Sequence, residues 1–327
     1  MKVLVTGGTG FLGANLVHHL VGRGDTVRVL KRRRTPPDIL TGLPVEFTEG
    51  DVTDFDSLLG ASRGVEGIYH LAGLVSYWPP RRAWQYRVNV VGAHNVVEAA
   101  LSNGVRRVVH TSSIAAIGFR TDGKPCDEET SWNWGPQDIH YATTKHLGEQ
   151  EALKAAARGL EVVVVNPALI FGPRDTSWNA GRMFKLVQEK ATVFSPAGST
   201  TTCDVDDVCQ GHLAAMERGR SGQRYILGGE HIRYADLFRA VGEVMSKKVE
   251  VKVIPYWLAQ AVAYANYGLS LLTRREPALT PELLRMGRFA RTYTSEKAIR
   301  ELGYPQTPLR ASLEKTYRWY RKHGYLK

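Results

Sequence analysis

The sequence predicts an α/β protein: a doubly wound parallel sheet with a smaller lobe toward the C-terminus. Short apolar, β-branched stretches alternate with segments of helical spacing through the first half of the chain, which is typical of parallel strands joined by helices. Past Gly172 the alternation weakens and the loops lengthen, so a second unit begins there. A chain of 327 residues is long enough for both units. The strand candidates are residues 2–6, 26–30, 45–48, 67–71, 107–112 and 161–166.

The first strand candidate leads directly into a glycine-rich turn, Thr6-Gly-Gly-Thr-Gly-Phe-Leu-Gly13, and residues 14–21 follow with helical spacing. A strand, a glycine turn and a helix form the context in which a dinucleotide is bound, because the helix N-terminus offers N–H donors and partial positive charge to phosphates. An ordinary glycine turn in an α/β protein is the alternative. The spacing here is GxxGxxG rather than the commoner GxGxxG.

Each glycine of this turn has a predicted task. We expect Gly7 to permit the tight turn, Gly10 to let the backbone approach a pyrophosphate, and Gly13 to let the helix pack closely on the strand. The other residues of the turn that we assign to cofactor contact are Thr6, Phe11 and Leu12.

The second strand candidate ends in four cations, Lys31-Arg-Arg-Arg34. A site for NAD usually has an acidic residue here, which binds the ribose 2′-hydroxyl. Because arginine offers phosphate a planar fork of donors, this cluster favours a cofactor with a 2′-phosphate. We therefore expect NADP(H), with NAD(H) as the alternative, and we assign the contact to Lys31 and Arg32. A solvated basic loop that binds no ligand is the other interpretation.

Tyr141 and Lys145 lie four residues apart in a helix candidate over 139–157, so they share one face of it. A free phenol has a pKa of about 10 and is a poor base near neutrality, but a neighbouring ammonium stabilises the phenolate. Ser113 follows the strand candidate 107–112. In the reductive direction we expect Tyr141 to donate a proton, Lys145 to tune it and hold the nicotinamide ribose, and Ser113 to orient the carbonyl. An exposed helix pair is the alternative for Tyr141 and Lys145 alone.

Further motifs extend this pattern along the chain. With them, the sequence resembles an extended short-chain dehydrogenase/reductase, a Rossmann-type family, over nearly its whole length. The resemblance implies that Asp51 accepts a hydrogen bond from adenine and that Asn89 supports the active site. It also implies that the loop Leu71, Ala72 and Gly73 lies along the cofactor and that Pro167 meets the nicotinamide. The motifs are Gly50-Asp51-Val52, His70-Leu-Ala-Gly73, Asn89-Val-Val-Gly92, Thr111-Ser-Ser113, Asn166-Pro-Ala168 and Asp204-Val-Asp-Asp-Val208. Of these we also assign Val52 to the cofactor site.

Within that family the chain most resembles dihydroflavonol reductases, 3β-hydroxysteroid dehydrogenases and bacterial relatives labelled hopanoid-associated sugar epimerases. Segments such as His110-Thr-Ser-Ser-Ile-Ala-Ala-Ile-Gly118 and Glu301-Leu-Gly-Tyr304 carry this likeness. The family's sugar dehydratases have Thr-Asp-Glu where this chain has Thr111-Ser-Ser113, so we set dehydration aside. Our leading hypothesis is an NADPH-dependent reductase of a ketone or aldehyde, which the cations Lys31–Arg34 and the apolar substrate side favour. A nucleotide-sugar epimerase with the same Ser-Tyr-Lys group is the alternative, and a cofactor-binding scaffold without turnover is the third.

Composition limits the other classes of function. The net charge is +11, yet we see no nucleic-acid recognition motif, so we expect no nucleic-acid partner. The three cysteines, Cys126, Cys203 and Cys209, are too few for a disulfide framework and have no metal-ligand company. The chain enters a strand almost at once, so we expect no signal peptide and a cytoplasmic enzyme with no metal.

The domain prediction divides the chain unevenly. We assign residues 1–173 and about 203–232 to the cofactor domain, about 174–202 and 233–315 to the substrate lobe, and 316–327 to a C-terminal tail. In the family the helices corresponding to candidates 84–103 and 139–157 often build a dimer interface. The resemblance therefore implies a homodimer.

The substrate side is the least informative part of the sequence. The aromatic loop 74–82 follows the cofactor-lining loop, so we place Ser76, Tyr77 and Trp78 in the pocket, with Ser113 and Arg174. The aromatic, apolar character predicts a small carbonyl or alcohol substrate that is hydrophobic or hydroxylated.

The most apolar stretch of the chain is a helix candidate over residues 257–272. Its length of about 24 Å, at ~1.5 Å per residue, is short for crossing a bilayer core of about 30 Å. We favour a buried helix of the substrate lobe. The wall of a pocket for a lipophilic substrate is the second interpretation, and peripheral membrane contact is the least favoured.

Overall fold

The computed structural model of the protein describes residues 1–35 and 38–327. Seven parallel strands form the central sheet, in the order β10-β6-β5-β4-β1-β2-β3. The strands are β1 (Lys2–Thr6), β2 (Thr26–Lys31), β3 (Val45–Glu49), β4 (Gly67–His70), β5 (Arg107–Thr111), β6 (Glu161–Pro167), β7 (Leu169–Phe171), β8 (Thr192–Ser195), β9 (Ser199–Asp204), β10 (Arg224–Leu227), β11 (His231–Arg233) and β12 (Glu250–Val253).

Helices cover both faces of this sheet and build the second lobe. Between α3 and α4 the chain makes a π-helical segment, Arg87–Val91, so one helical rod runs through the predicted span 84–103. The helices are α1 (Phe11–Gly22), α2 (Phe55–Ala61), α3 (Arg82–Tyr86), α4 (Gly92–Ser102), α5 (His140–Ala156), α6 (Arg182–Glu189), α7 (Val205–Arg218), α8 (Tyr234–Val244), α9 (Tyr256–Thr273), α10 (Pro281–Gly287), α11 (Glu296–Leu302) and α12 (Leu309–Lys322).

The central strands are apolar on both faces because each face carries helices. Along β1, Leu4 belongs to the core under α2, α4 and α5, while Val5 belongs to the core under α1 and α7. Both side chains are fully buried. The direction of the strand order reverses between β1 and β4, and a ligand cleft is expected outside the carboxyl ends of strands at such a point.

The second lobe has its own core, which α6, α8 and α12 build around Phe184, Leu237 and Leu313. Two small sheets, β11-β9-β7 and β12-β8, lie outside the central sheet.

The predicted C-terminal tail, residues 316–327, begins inside α12. Tyr320 of that helix is fully buried and donates a hydrogen bond of 2.9 Å to the carbonyl oxygen of Asp175. The domain division itself stays a prediction.

The structure confirms the predicted α/β class and its parallel sheet. The predicted central strands form within one residue of their expected ends, and the helix candidate 139–157 forms as α5. The helix predicted over 14–21 begins earlier, at Phe11, because Gly10 is its N-cap and the turn passes directly into the helix.

The favoured interpretation of the apolar helix was wrong. The helix forms as α9, but within it only Ala259, Ala263 and Ser270 are buried. Leu272 is 84% exposed and Trp257 is 70% exposed. Over the described part of the chain, no helix combines the length and the apolar character needed to cross a membrane.

We predict that Tyr320→Ala lowers the free energy of unfolding by about 3–5 kcal/mol, because it removes a buried ring and its hydrogen bond to Asp175. Chemical denaturation measures the change. Arg318→Ala on the exposed face of the same helix is the control and should change stability by less than about 0.5 kcal/mol. Equal stability of the Tyr320 variant and the wild type would show that the C-terminal segment is dispensable.

Candidate active site

The glycine turn after β1 is held in a form that only glycine can supply. Gly7 has φ +71°, and a Cβ atom there would lie 2.6 Å from the backbone nitrogen of Ala72. A Cβ atom on Gly13 would lie 2.1 Å from the carbonyl oxygen of Gly7. The turn, the loop after β4 and the first turn of α1 therefore touch through backbone alone. Gly10 caps α1 from the open side, where a Cβ would approach only the Gly7 oxygen, at 3.3 Å.

The loop after β4 is tied to the glycine turn on one side and to the π-helical segment on the other. The backbone N–H of Ala72 donates to Thr6 Oγ1 over 3.3 Å, and Thr6 Oγ1 shares a hydrogen bond of 2.7 Å with His70 Nδ1. The backbone N–H of Leu74 donates to Asn89 Oδ1 over 2.7 Å. Leu71 and Ala72 are half-buried and Gly73 is exposed, so the loop presents backbone to the cleft.

These residues fit a bound dinucleotide. The close backbone packing leaves a concave turn at the N-terminus of α1, which is suited to a pyrophosphate. Phe11 and Leu12 begin that helix. Asp51 Oδ1 accepts hydrogen bonds from the N–H and hydroxyl of Thr53, which fixes its carboxylate beside the end of β3.

Two other predicted contacts lie at strand ends. Val52 is buried, and Pro167 is buried at the end of β6.

Four cations stand at the end of β2. Lys31 is half-buried, and Arg32, Arg33 and Arg34 are exposed. Among the side chains that the structure describes, which leave out those of residues 36–38, none of the four forms an ion pair.

Tyr141 and Ser113 face each other across the cleft. Ser113 caps a short 3₁₀ turn after β5, where its hydroxyl accepts a hydrogen bond of 3.1 Å from the backbone N–H of Ala115. Burial raises the pKa of the Tyr141 phenol, and the Ser113 hydroxyl and the Arg291 guanidinium act in the opposite direction. The phenol is therefore protonated at neutral pH in the free protein, which is the form that donates a proton.

Lys145 lies one turn further along α5. Its Nζ donates a hydrogen bond of 2.8 Å to the carbonyl oxygen of Thr111, and burial lowers its pKa to about 8. A Cβ atom on Gly73 would lie 3.9 Å from this Nζ, so the ammonium reaches the same cleft as the cofactor loop. The predicted lowering of the Tyr141 pKa by Lys145 stays a prediction.

Asn89 joins the two sides of the site. Its Nδ2 donates to Thr144 Oγ1 on α5 and to the carbonyl oxygen of Leu74, both over 3.1 Å. It lies in the π-helical segment, a local widening of the helix that is often found at functional sites. A Cβ atom on Gly148 would lie 2.1 Å from the Asn89 carbonyl oxygen, so glycine at that position of α5 allows the two helices to meet.

A buried polar network supports Ser113 from behind, and of its members only Asn166 belongs to a motif that the sequence analysis named. Asn166 Nδ2 donates to the Ser113 carbonyl oxygen over 3.0 Å and to Glu149 Oε2 over 2.7 Å. Arg224 of β10 pairs with the same carboxylate at 3.1 Å. Glu149 stands four residues after Lys145, and that helical spacing is the one signal by which it could have been found.

Arg291 is a second residue that sequence reasoning missed. It is 94% buried by accessible area, and in the described ranges no aspartate or glutamate pairs with it. One guanidinium nitrogen donates to Tyr234 Oη over 2.5 Å, while its Nε has no partner. Its charge lowers the pKa of both Tyr141 and Tyr77. It comes from a part of the chain with no recognisable motif.

Of the predicted substrate loop, Tyr77 contacts the catalytic Tyr141, whereas Ser76 and Trp78 contact other parts of the protein. The ring of Tyr77 meets that of Tyr141 edge-on, with centroids 5.5 Å apart. Ser76 is buried and donates to Glu276 over 2.8 Å, and Trp78 Nε1 donates to Ser270 Oγ of α9 over 3.0 Å. Arg174 is placed elsewhere: it donates to Asn15 Oδ1 on α1 over 2.8 Å, beside the helix of the glycine turn.

The geometry can pass a proton to a carbonyl oxygen. The structure brings Ser113, Tyr141, Lys145 and Asn89 together at the carboxyl ends of β1, β4 and β5, and the roles assigned to them stay predictions. In the ranges that the structure describes, no group of three or more His, Cys, Asp or Glu side chains could hold a metal ion. All three cysteines are buried and unpaired with one another.

Comparison with known proteins identifies the family of the chain. Residues 3–228 match the NAD dependent epimerase/dehydratase family. The chain is 35% identical to a putative dihydroflavonol 4-reductase of Synechocystis sp., covering 99% of this chain and 95% of that protein. It is also 35% identical to sterol demethylase protein B of Methylococcus capsulatus, with full coverage of both.

A crystal structure of gox2253 has the same fold throughout. It superposes with a TM-score of 0.87 at 34% identity and covers 100% of this chain and 99% of its own. Together with the glycine turn and the Ser-Tyr-Lys group, these matches assign the protein. The chain belongs to the extended short-chain dehydrogenases/reductases of the NAD dependent epimerase/dehydratase family and is an NAD(P)-dependent oxidoreductase.

Proposed function

We propose that the protein is an NADPH-dependent reductase of a ketone or aldehyde on a lipophilic substrate. The observation that carries the proposal is a half-buried phenol, Tyr141, in its protonated form beside the Ser113 hydroxyl. An acid that lies beside a hydroxyl donor can hold a carbonyl oxygen and protonate it as negative charge develops there.

Each residue of the group has its own role in the proposed reaction. Ser113 and Tyr141 donate hydrogen bonds to the substrate oxygen, and the Tyr141 proton is then transferred. Lys145, fixed by the Thr111 carbonyl, holds the nicotinamide ribose and stabilises the phenolate that remains. Arg291 adds a fixed positive charge on the substrate side. When it is bound, the nicotinamide supplies the hydride in reduction and accepts it in oxidation.

The cofactor preference rests on the basic end of β2. A carboxylate in this position would repel a 2′-phosphate, and the chain has Lys31 and Arg32 there instead. Neither forms an ion pair with any side chain that the structure describes, which excludes those of residues 36–38. We therefore propose NADP(H) over NAD(H).

The substrate class rests on the aromatic side of the cleft. Tyr77 covers the Tyr141 ring, and Trp78 joins that loop to the apolar helix α9. The names of the two similar proteins, a dihydroflavonol 4-reductase and a sterol demethylase component, point to polycyclic, weakly polar compounds. A nucleotide sugar is more polar and carries a diphosphate.

A nucleotide-sugar epimerase with the same Ser-Tyr-Lys group is the second candidate, because the matching family includes epimerases. The two functions separate in a titration of the purified protein with NADPH, NADH and UDP-sugars, followed by nicotinamide fluorescence. Exchangeable NADPH without sugar-nucleotide binding supports the reductase. Retained NAD together with UDP-sugar binding establishes the epimerase instead.

We predict that Tyr141→Phe lowers kcat for carbonyl reduction by about 100-fold or more while the Kd for NADPH is unchanged, because the proton donor is lost and the cofactor contacts remain. Tyr77→Phe is the matched control, since among the described residues its hydroxyl forms a hydrogen bond only with Met286 Sδ, at 3.4 Å. Steady-state kinetics and fluorescence titration measure both effects. Substantial activity in the Tyr141 variant would disprove the assigned role.

We predict that Arg32→Asp weakens NADPH binding roughly ten- to hundredfold, because a charge-assisted phosphate contact is lost, and leaves NADH binding nearly unchanged. The exposed Arg63→Asp is the control for a general change of surface charge. If both cofactors lose affinity equally, the 2′-phosphate site lies elsewhere.

We predict that Arg291→Met moves the pH dependence of activity to higher pH. Arg291 lowers the pKa of Tyr141, so its removal raises that pKa. Alcohol oxidation needs the phenolate and rises with pH through this pKa, so its rising limb should move upward. Arg291→Lys should keep the wild-type profile, and so should Arg288→Met on the exposed neighbour. A lower rate with an unmoved profile would show that Arg291 is only structural.

A further inference from the structure

The helix α9 exposes its large apolar side chains, unlike an ordinary surface helix. A soluble helix turns its apolar stripe to the core and its polar face to water. The side of α9 that faces the protein buries only the small Ala259 and Ala263 with Ser270, and Gln260 and Asn266 are half-buried there. The outward side is apolar apart from Thr273 at its end. The exposed large residues are Trp257, Leu258, Val262, Tyr264, Leu269, Leu271 and Leu272.

The outward face is therefore continuous rather than scattered. At about 100° per residue, these side chains fall on adjacent positions around one side of the helix, and the polar residues fall together on the other. Single exposed apolar residues are normal, but a contiguous apolar patch on a helix marks a surface that something covers. The helix contains no Asp, Glu, Lys or Arg along its 18 residues.

The charges that flank this face are positive at both ends. Arg274 and Arg275 follow the helix directly, and within the described chain neither forms an ion pair. At the other end the guanidinium of Arg288 lies over the Tyr256 ring, 5.2 Å from its centroid. The nearest carboxylate after the helix, Glu276, is engaged by Ser76 and Arg81. The protein as a whole carries a net charge of +11.

We propose that α9 docks on the surface of an anionic phospholipid bilayer. Its apolar face enters the boundary between head groups and acyl chains, and the arginines at its two ends meet the lipid phosphates. An apolar face flanked by cations matches this partner. The apolar side chains are buried at the acyl-chain boundary, and the cations are attracted to the anionic head groups. A second copy of the chain would bring the same cations against each other, which disfavours a symmetric helix pair.

The docked helix also adjoins the active site. On the side of α9 that faces the protein, Ser270 Oγ accepts a hydrogen bond of 3.0 Å from Trp78 Nε1. The neighbouring aromatic residue of that loop, Tyr77, packs against the Tyr141 ring. One loop thus lies between the bilayer-facing helix and the catalytic phenol. The docking itself does not depend on the proposed reductase activity, although the two together would let a membrane-dissolved substrate reach the site without crossing water.

Vesicle sedimentation tests the proposal with the full-length protein. We expect it to bind vesicles of phosphatidylcholine mixed with phosphatidylglycerol and to stay in solution with phosphatidylcholine alone. Leu269→Glu combined with Leu272→Glu should reduce binding at least tenfold, because two acidic groups would enter the apolar layer. Ile299→Glu, which changes an exposed apolar residue on α11, is the control and should bind like the wild type.

The electrostatic contribution of the arginines to membrane binding is measured separately. Arg274→Gln and Arg275→Gln should each weaken binding to the anionic vesicles roughly five-fold. A second readout needs no change of charge: brominated lipids should quench tryptophan fluorescence, and Trp257→Phe should remove most of that quenching. NADPH binding confirms that each variant is folded, and it is independent of the membrane.

Three results would overturn the proposal. The wild type could remain in solution with both kinds of vesicle. It could bind neutral and anionic vesicles equally, which would leave the arginines without a role. The Leu269 and Leu272 variant could instead convert a dimer to a monomer in sedimentation velocity while vesicle binding is absent, and the face would then be an interface between copies of this chain.

Discussion

The hydrogen bonds of Asn89 are the constraint on which the rest of the site depends. They join the loop after β4, which lies along the dinucleotide cleft, to α5, which carries the proton-handling side chains. A π-helical segment and a glycine at 148 make room for this junction. Because both partners are backbone or buried polar groups, the spacing between cofactor loop and catalytic helix is fixed before any ligand binds.

Burial sets the protonation state of nearly every group around that junction. The pKa of His70 is lowered to about 3 and that of His212 to about 4, chiefly because each ring is fully buried. These imidazoles are therefore neutral over the physiological range. Two cations lie near the catalytic group, the ammonium of Lys145 and the guanidinium of Arg291. The Glu282 carboxylate also approaches Tyr141, where it accepts a hydrogen bond from the backbone N–H.

The sequence indicated the elements and residues that have short-range patterns. It did not indicate residues that the fold brings together from distant parts of the chain. The central strands, the glycine turn and the Tyr141–Lys145 pair have short-range patterns, and the fold confirms the strands and α5. Arg291 and Glu282 reach Tyr141 from about 140 residues or more away, the latter through a hydrogen bond of 3.2 Å to its backbone N–H, so no spacing indicates them. The apolar character of 257–272 suggested burial because composition does not tell which side of a helix is covered.

The order in which the sheet is completed has a consequence during synthesis. Strand β6 pairs on its outer side with β10, which is made nearly 60 residues later, and the second lobe closes only when Tyr320 enters its core. Until then the growing chain presents an apolar strand edge and an unfinished core. Such edges template association with other chains. The central sheet and the core of the second lobe are therefore complete only once the residues around Tyr320 have been made.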